Sequence, residues 1–124
     1  MEHPADNGID FLDRERLVRL YEDDTEMLIS AIETFLDEVV ISFSELENLT
    51  GSQNWEGLSE LTHQLRPWLG MVGLTSLETR LWEIEMLARE NPNAEILMIS
   101  CTDFNRNLSK MTPILQLELK ELTK

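Results

Sequence analysis

From Thr25 to Leu49 the large apolar side chains fall at Leu28, Ile32, Phe35, Val39, Phe43 and Leu46, at spacings of three and four. A helix of 3.6 residues per turn gathers such a series onto one stripe; the two-residue alternation of a strand would scatter it over both faces. The same spacing returns at Leu58, Leu61, Leu65, Trp68 and Val72, again at Leu74, Leu77, Leu81, Ile84 and Ala88, and last from Leu97 through Cys101, Phe104, Leu108, Met111 and Leu115 to Leu122. Ile29, Leu36 and Val40 widen the first stripe, so that helix must pack against more than one neighbour. Four amphipathic helices on short connections predict an all-α chain folded as an antiparallel four-helix bundle. A three-helix bundle with a hairpin appendage is the weaker alternative.

Punctuation supports this division. A short first helix over "LDRERLVRLYE", with Leu17, Leu20 and Tyr21 on one side, is predicted to cap one end of the bundle. "DDT" supplies caps for the second helix, and Gly51 in "TGSQN" is read as its C-terminal cap. Asn54 caps a third helix from Trp55 towards Val72, which Gly73 ends, and "ENPN" stops the fourth. Pro113 lies inside the fifth and is expected to kink it. "MEHPADNG" reads as a tail or linker, residues 1–8, leaving 9–124 for the bundle domain.

Composition narrows the function classes. A chain of 124 residues fits one domain with one core. Ten basic against 24 acidic side chains give a net charge of −14, which repels phosphate backbones and anionic lipid. Nucleic acid and direct membrane contact are therefore not expected. The first residues lack the apolar and basic character of a signal peptide, and no apolar run approaches the roughly 20 residues of a membrane span. A cytoplasmic location follows as the expectation. Cys101, the sole cysteine, sits on an apolar stripe and reads as a core residue.

The chemistry concentrates in "LTHQLRPWLGMVGL", residues 61–74. At about 100° per residue His63 falls opposite the arc of Leu58, Leu61, Leu65, Trp68 and Val72, so it should face water. Ser59, Pro67 and Gly70 share its face, and Arg66, one turn on, can reach the same space. Within a helix a glycine costs about 1 kcal/mol against alanine and a proline about 3. Both beside one exposed imidazole suggest that something must come close to the ring. A neutral imidazole is a nucleophile near pH 7, and a neighbouring cation can offset the charge of a transferred phosphoryl group. No Gly-rich nucleotide loop, Walker-type lysine or magnesium-binding Asp pair accompanies it. The chain could accept and pass on a phosphoryl group without drawing one from ATP: a covalent carrier, not a kinase.

The run His63-Gln64-Leu65-Arg66-Pro67, with Gly73 ten positions after the histidine, resembles the His-x-Leu-Lys-Gly pattern of histidine phosphotransfer (HPt) domains of multistep phosphorelays. The lead-in "NWEGLSELTHQLR" and the helix order from about Phe11 onward are similar too. Arg66 stands for the usual lysine, Pro67 for a common glycine, and Trp68 for a small residue. The resemblance implies that His63 takes a phosphoryl group from a receiver-domain aspartate and delivers it to another receiver. Those receivers would belong to response regulators or hybrid sensor kinases, and the chain could be the last domain of such a kinase. The receiver would bring Mg²⁺ and the acidic pocket, so the chain itself needs no cofactor. Arg66 would balance charge, Gln64 would hydrogen-bond at the rim, and Pro67 and Gly70 would keep the approach clear.

Two rival readings have their own signatures. Glu60-x-x-His63 has the spacing of di-iron bundles, but such a site needs a second motif and inward-facing ligands. A non-catalytic interaction module on an HPt-like fold would share the layout without accepting phosphate.

Overall fold

The computed structural model describes residues 12–124, so the tail expected over residues 1–8 lies outside the described part. The described residues form six α-helices: α1 Arg14–Tyr21, α2 Thr25–Thr34, α3 Glu45–Gly51, α4 Trp55–Met71, α5 Thr75–Glu90 and α6 Ala94–Leu122. Between α2 and α3 the backbone stays helical, through a π turn at Phe35–Val39 and a 3₁₀ segment at Val40–Ser44. These pieces make one rod over the predicted span of the second helix. The rod, α4, α5 and α6 pack in a ring, the rod touching α4 and α6 and α5 touching α4 and α6. This is the antiparallel four-helix bundle expected, with no strand among the described residues.

The rod departs from a uniform α-helix, which apolar spacing could not show. A π turn widens the winding and a 3₁₀ segment tightens it, so the two phase errors oppose each other. Ile32, Phe35, Val39, Phe43 and Leu46 therefore all stay buried on one side. Phe43 bridges Phe35 and Phe104 with ring centroids 6.1 and 5.5 Å apart. Asn105 on α6 donates its side-chain N–H to the Phe43 carbonyl at 3.2 Å, supplying a partner within the 3₁₀ segment.

Helix ends follow local chemistry. Asp24, Asn54 and Asn93 each accept a backbone N–H of the first turn beyond them, at 3.0, 2.9 and 3.0 Å. Gly73 takes φ +79° after α4, as a glycine stop predicts. Gly51 does not do so after the rod: it is the last residue of α3, and Gln53 takes the left-handed conformation at φ 56°. Pro113 lies inside α6, as the apolar pattern placed it. α6 runs as one helix from Ala94 to Leu122. The carbonyl deprived of a donor there belongs to Ser109, an exposed residue that water can reach. Pro67 in α4 repeats the arrangement, its orphan carbonyl belonging to exposed His63.

Cys101 is fully buried, with the Thr50 hydroxyl 3.5 Å from its sulfur, and burial pushes its thiol pKa up. It is the core residue expected. Among the described residues no helix is long and apolar enough to cross a membrane.

α1 closes the end where α4 turns into α5. Its buried residue is Leu17, while Leu20 is exposed, so only part of the predicted apolar side faces inward. Polar ties do much of the anchoring. The Asp13 N–H donates to the Gly73 carbonyl at 2.8 Å, and the Tyr21 hydroxyl to the Met71 carbonyl at 2.7 Å. The Asp13 carboxylate accepts the Thr75 hydroxyl at 2.7 Å and caps α1 by accepting the Arg16 N–H at 3.1 Å. These bonds, the Thr75 one foremost, hold the Asp13 pKa below its ordinary 3.8.

A folded pKa below the unfolded one means stability that is present above the unfolded value and lost as pH falls through the folded one. Asp13→Ala should cost about 1 kcal/mol at neutral pH, the usual worth of an N-cap. Urea midpoints of wild type and variant, compared from pH 7 downward, should converge below pH 3.8. A gap that stays constant into strong acid would show that the carboxylate charge contributes nothing.

Candidate functional site

α4 is amphipathic in a more complicated way than its leucines suggest. At about 100° per residue Leu58, Thr62, Leu65 and Leu69 span about 60° and point into the core. All four are buried, Thr62 because its hydroxyl donates to the Leu58 and Ser59 carbonyls at 2.9 and 2.8 Å. Ser59, Arg66 and Gly70 occupy the next flank, and His63 lies about 20° beyond them. That flank is covered by α5 and by α1. His63 therefore stands at the lip of the α4–α5 seam, and the pole opposite the core lies further round. Its side chain is 63% exposed, as expected, yet it leans on a residue the sequence did not single out.

That residue is Glu85 of α5, whose side chain is 2% exposed. Its Oε2 lies 3.4 Å from His63 Nδ1 and 3.0 Å from an Arg89 guanidinium nitrogen. Its Oε1 accepts a hydrogen bond from Arg66 at 2.7 Å. Arg89 also donates to the Ser59 hydroxyl at 2.9 Å. A buried carboxylate costs several kcal/mol unless paired, and here two guanidinium groups and an imidazole surround it. With Nδ1 turned to the carboxylate, Nε2 is the ring nitrogen left for chemistry.

Each predicted site residue has a definite place. His63 and Arg66 come together, joined through Glu85. Arg66 was expected to project outward, but its side chain is only 24% exposed and is held in the seam by that ion pair. Gln64 and Pro67 are exposed on the neighbouring surface. Gly70 differs most from expectation. It is buried, and a Cβ there would meet the Arg16 guanidinium and the Glu78 carboxylate. Arg16 crosses over it to bind Glu78 at 2.6 Å. The glycine thus makes room for the clasp of α1; open space above it is not what the structure has.

Glu85 and Arg89 were missed because a helical wheel drawn for one helix does not show which polar side chains face it from the next; Ser59 was placed on the His63 face but without its Arg89 partner. A signal existed: Glu85 lies one residue from Ile84, within a stripe ending at Ala88, where a carboxylate must find cations. No group of three or more His, Cys, Asp or Glu among the described residues is placed to hold a metal ion.

Gly70→Leu should displace Arg16 from Glu78. Leucine is the better helix former, but overpacking costs typically 1–3 kcal/mol, so a net loss of about 1 kcal/mol is expected. Trypsin should then cut after Arg16 and Arg19 faster than in wild type. Unchanged cleavage with unchanged stability would mean that Arg16 contributes no grip on α1.

A family model described as "Hpt domain" matches residues 16–122, which take in all of α2 to α6 and most of α1. No curated protein and no solved structure matches the chain. The match spans the bundle and the histidine at the seam alike, and on that ground the chain belongs to the Hpt domain family.

Proposed function

We propose that His63 is the phosphoryl-accepting residue of a phosphorelay, taking the group from the aspartate of one receiver domain and delivering it to that of another. The observation that supports this most is the pairing of an exposed imidazole with a buried carboxylate in a chain of the Hpt family. Hpt domains act in phosphorelays and meet receiver domains there; the particular residue and the direction of transfer are our reading.

The pairing explains how the ring would work. Glu85 holds the proton on Nδ1, which leaves the Nε2 lone pair free. Nε2 attacks the phosphorus of the aspartyl phosphate. The N–P bond forms as the acyl O–P bond breaks, and the electron pair leaves with the receiver's carboxylate. The ring becomes a phosphorylated imidazolium, and the Glu85 carboxylate balances its new positive charge. In delivery the second aspartate attacks phosphorus and the electron pair returns to Nε2. The Nδ1 proton stays in place throughout. Arg66 spends one N–H on Glu85 and has others for a phosphoryl oxygen. Gln64 and Pro67 border the approach, Gln64 as a donor at the rim and Pro67 as a low, rigid shoulder. Mg²⁺ and the acidic pocket come with the receiver. This is a covalent carrier without a kinase site, working in the cytoplasm where receivers are found.

His63→Gln should keep the fold, because a side chain 63% exposed contributes little packing, and should abolish acceptance. Incubation with phosphorylated receivers, followed by an assay for acid-labile phosphate, checks this, with circular dichroism as the fold control. Acid-labile phosphate on the variant would place the site elsewhere.

Glu85→Gln keeps an oxygen near Nδ1 but removes the charge. Losing a charge-assisted contact costs about 1 kcal/mol more than losing a neutral one, so transfer should slow roughly five-fold. Single-turnover rates at saturating receiver read this directly. A rate equal to wild type would reduce Glu85 to a structural counter-ion.

A further inference from the structure

The His63 flank consists of two facing stripes. On α4 these are Ser59, His63, Arg66 and Gly70; on α5 they are Arg89, Glu85, Trp82 and Glu78. Both have the four-three-four spacing of one helix face. Rungs cross between them. Arg89 binds Ser59, Glu85 binds Arg66 and faces His63, and Glu78 holds Arg16 over Gly70. The polar members are thus engaged inside the molecule. Trp82 is the large apolar member, and it is 47% exposed. Together with Arg66, Glu78 and Thr79 it lines a shallow cavity of about 320 Å³.

We propose that Trp82 is the apolar anchor on which a receiver domain seats, over the seam and towards the α1 end of the site. This rests on the phosphotransfer reading of His63. The occupant follows from continuity. A receiver must bring a phosphoryl group to within bonding reach of Nε2, and a folded domain covers about 800 Å² of its partner in doing so. Trp82 lies three residues from Glu85, about 4.5 Å along the helix axis, and shares a cavity with Arg66. A body placed over His63 and Arg66 also covers Trp82. Tryptophan is among the residues that carry most interface energy, because it removes a large apolar area from water while its N–H can still find an acceptor. Arg66 and Glu78, which line the same cavity, give the ring a polar border to orient whatever packs on it. A second copy of this chain is the poorer occupant, since two bodies of net charge −14 repel.

The test compares wild type with Trp82→Ala and Trp82→Gln, using a receiver domain that is phosphorylated from acetyl phosphate and labels wild-type His63. Transfer is followed by rapid quench over a range of receiver concentrations. The half-exposed side chain should be removable without unfolding, which circular dichroism verifies, and the glutamine variant guards against a fold defect peculiar to alanine. Both variants should show a roughly 10- to 30-fold loss in kcat/KM that lies in KM, with the saturating rate within two-fold of wild type. A loss confined to the saturating rate, or transfer curves that superimpose, would overturn the anchor. So would a shift in the sedimentation of the chain alone on substitution, which would assign Trp82 to self-association. Failure of wild-type His63 to be labelled by any phosphorylated receiver is a separate result: it removes the phosphotransfer reading, and the anchor with it.

Discussion

The carboxylate of Glu85 is the interaction on which the His63 seam of this bundle depends. A buried charge is tolerable only when its partners are fixed, so Glu85 fixes them in turn. Arg66 is drawn into the seam at 2.7 Å, Arg89 is drawn back one turn along α5, and the His63 ring is set with Nδ1 facing inward. The net contribution to stability of such a cluster is small, because desolvation offsets most of the attraction. Its value is directional. Leucines alone would let α4 and α5 slide or rotate by a fraction of a turn at little cost, whereas a carboxylate with three partners on two helices does not allow this.

The same seam carries the clasp of α1. Moving from Glu85 towards the start of α5 leads to Glu78, and Glu78 holds Arg16 across Gly70. Gly73 then turns the chain at φ +79° and presents its carbonyl to the Asp13 N–H. Two glycines and the Glu78 carboxylate therefore tie the short first helix to the corner between α4, which bears the histidine, and α5. The glycine ten positions after His63 was part of the sequence resemblance, and its physical reason is this turn: a side chain there would need left-handed backbone and would press on Leu17 and Leu12.

How much of this could be read from the sequence depends on which force wrote it. Apolar spacing located the rod and the three long helices, because core burial needs one stripe per helix and nothing else produces that period. Capping chemistry placed Asp24, Asn54 and Gly73. The π and 3₁₀ turns left no trace, since their phase errors cancel and the apolar pattern reads straight through them. Pro113 and Pro67 were both placed inside helices, and each sits on the wet side of its helix, where water can serve the freed carbonyl. The exposure of His63 was legible because it follows from the position of its own helix's leucines. Glu85 and Arg89 were not, because a pairing between two helices is settled by their relative rotation, which neither helix records by itself. The error about Gly70 has the same origin: the space above it is filled by Arg16, 54 positions away in sequence.

Charge presents an apparent conflict between scales. The chain is strongly anionic, and from Leu20 to Leu65 it has no lysine or arginine at all. On the proposed function a phosphoryl group nevertheless has to come to rest beside His63. Screening resolves the conflict. At physiological salt a charge is felt over about 8 Å, so the rod's carboxylates repel an anion that passes over the acidic surface, and Arg66 and Arg89 set the potential met at contact. Free phosphate approaches against that repulsion and gains little from two guanidinium groups already shared with Glu85. A phosphoryl group buried in another protein's pocket, with its charge already neutralised there, does not meet that surface repulsion in the same way. On that reading, the acidic body and the arginine-lined seam together favour a phosphoryl group delivered by a docked protein over one from solution, which is the selectivity a relay requires.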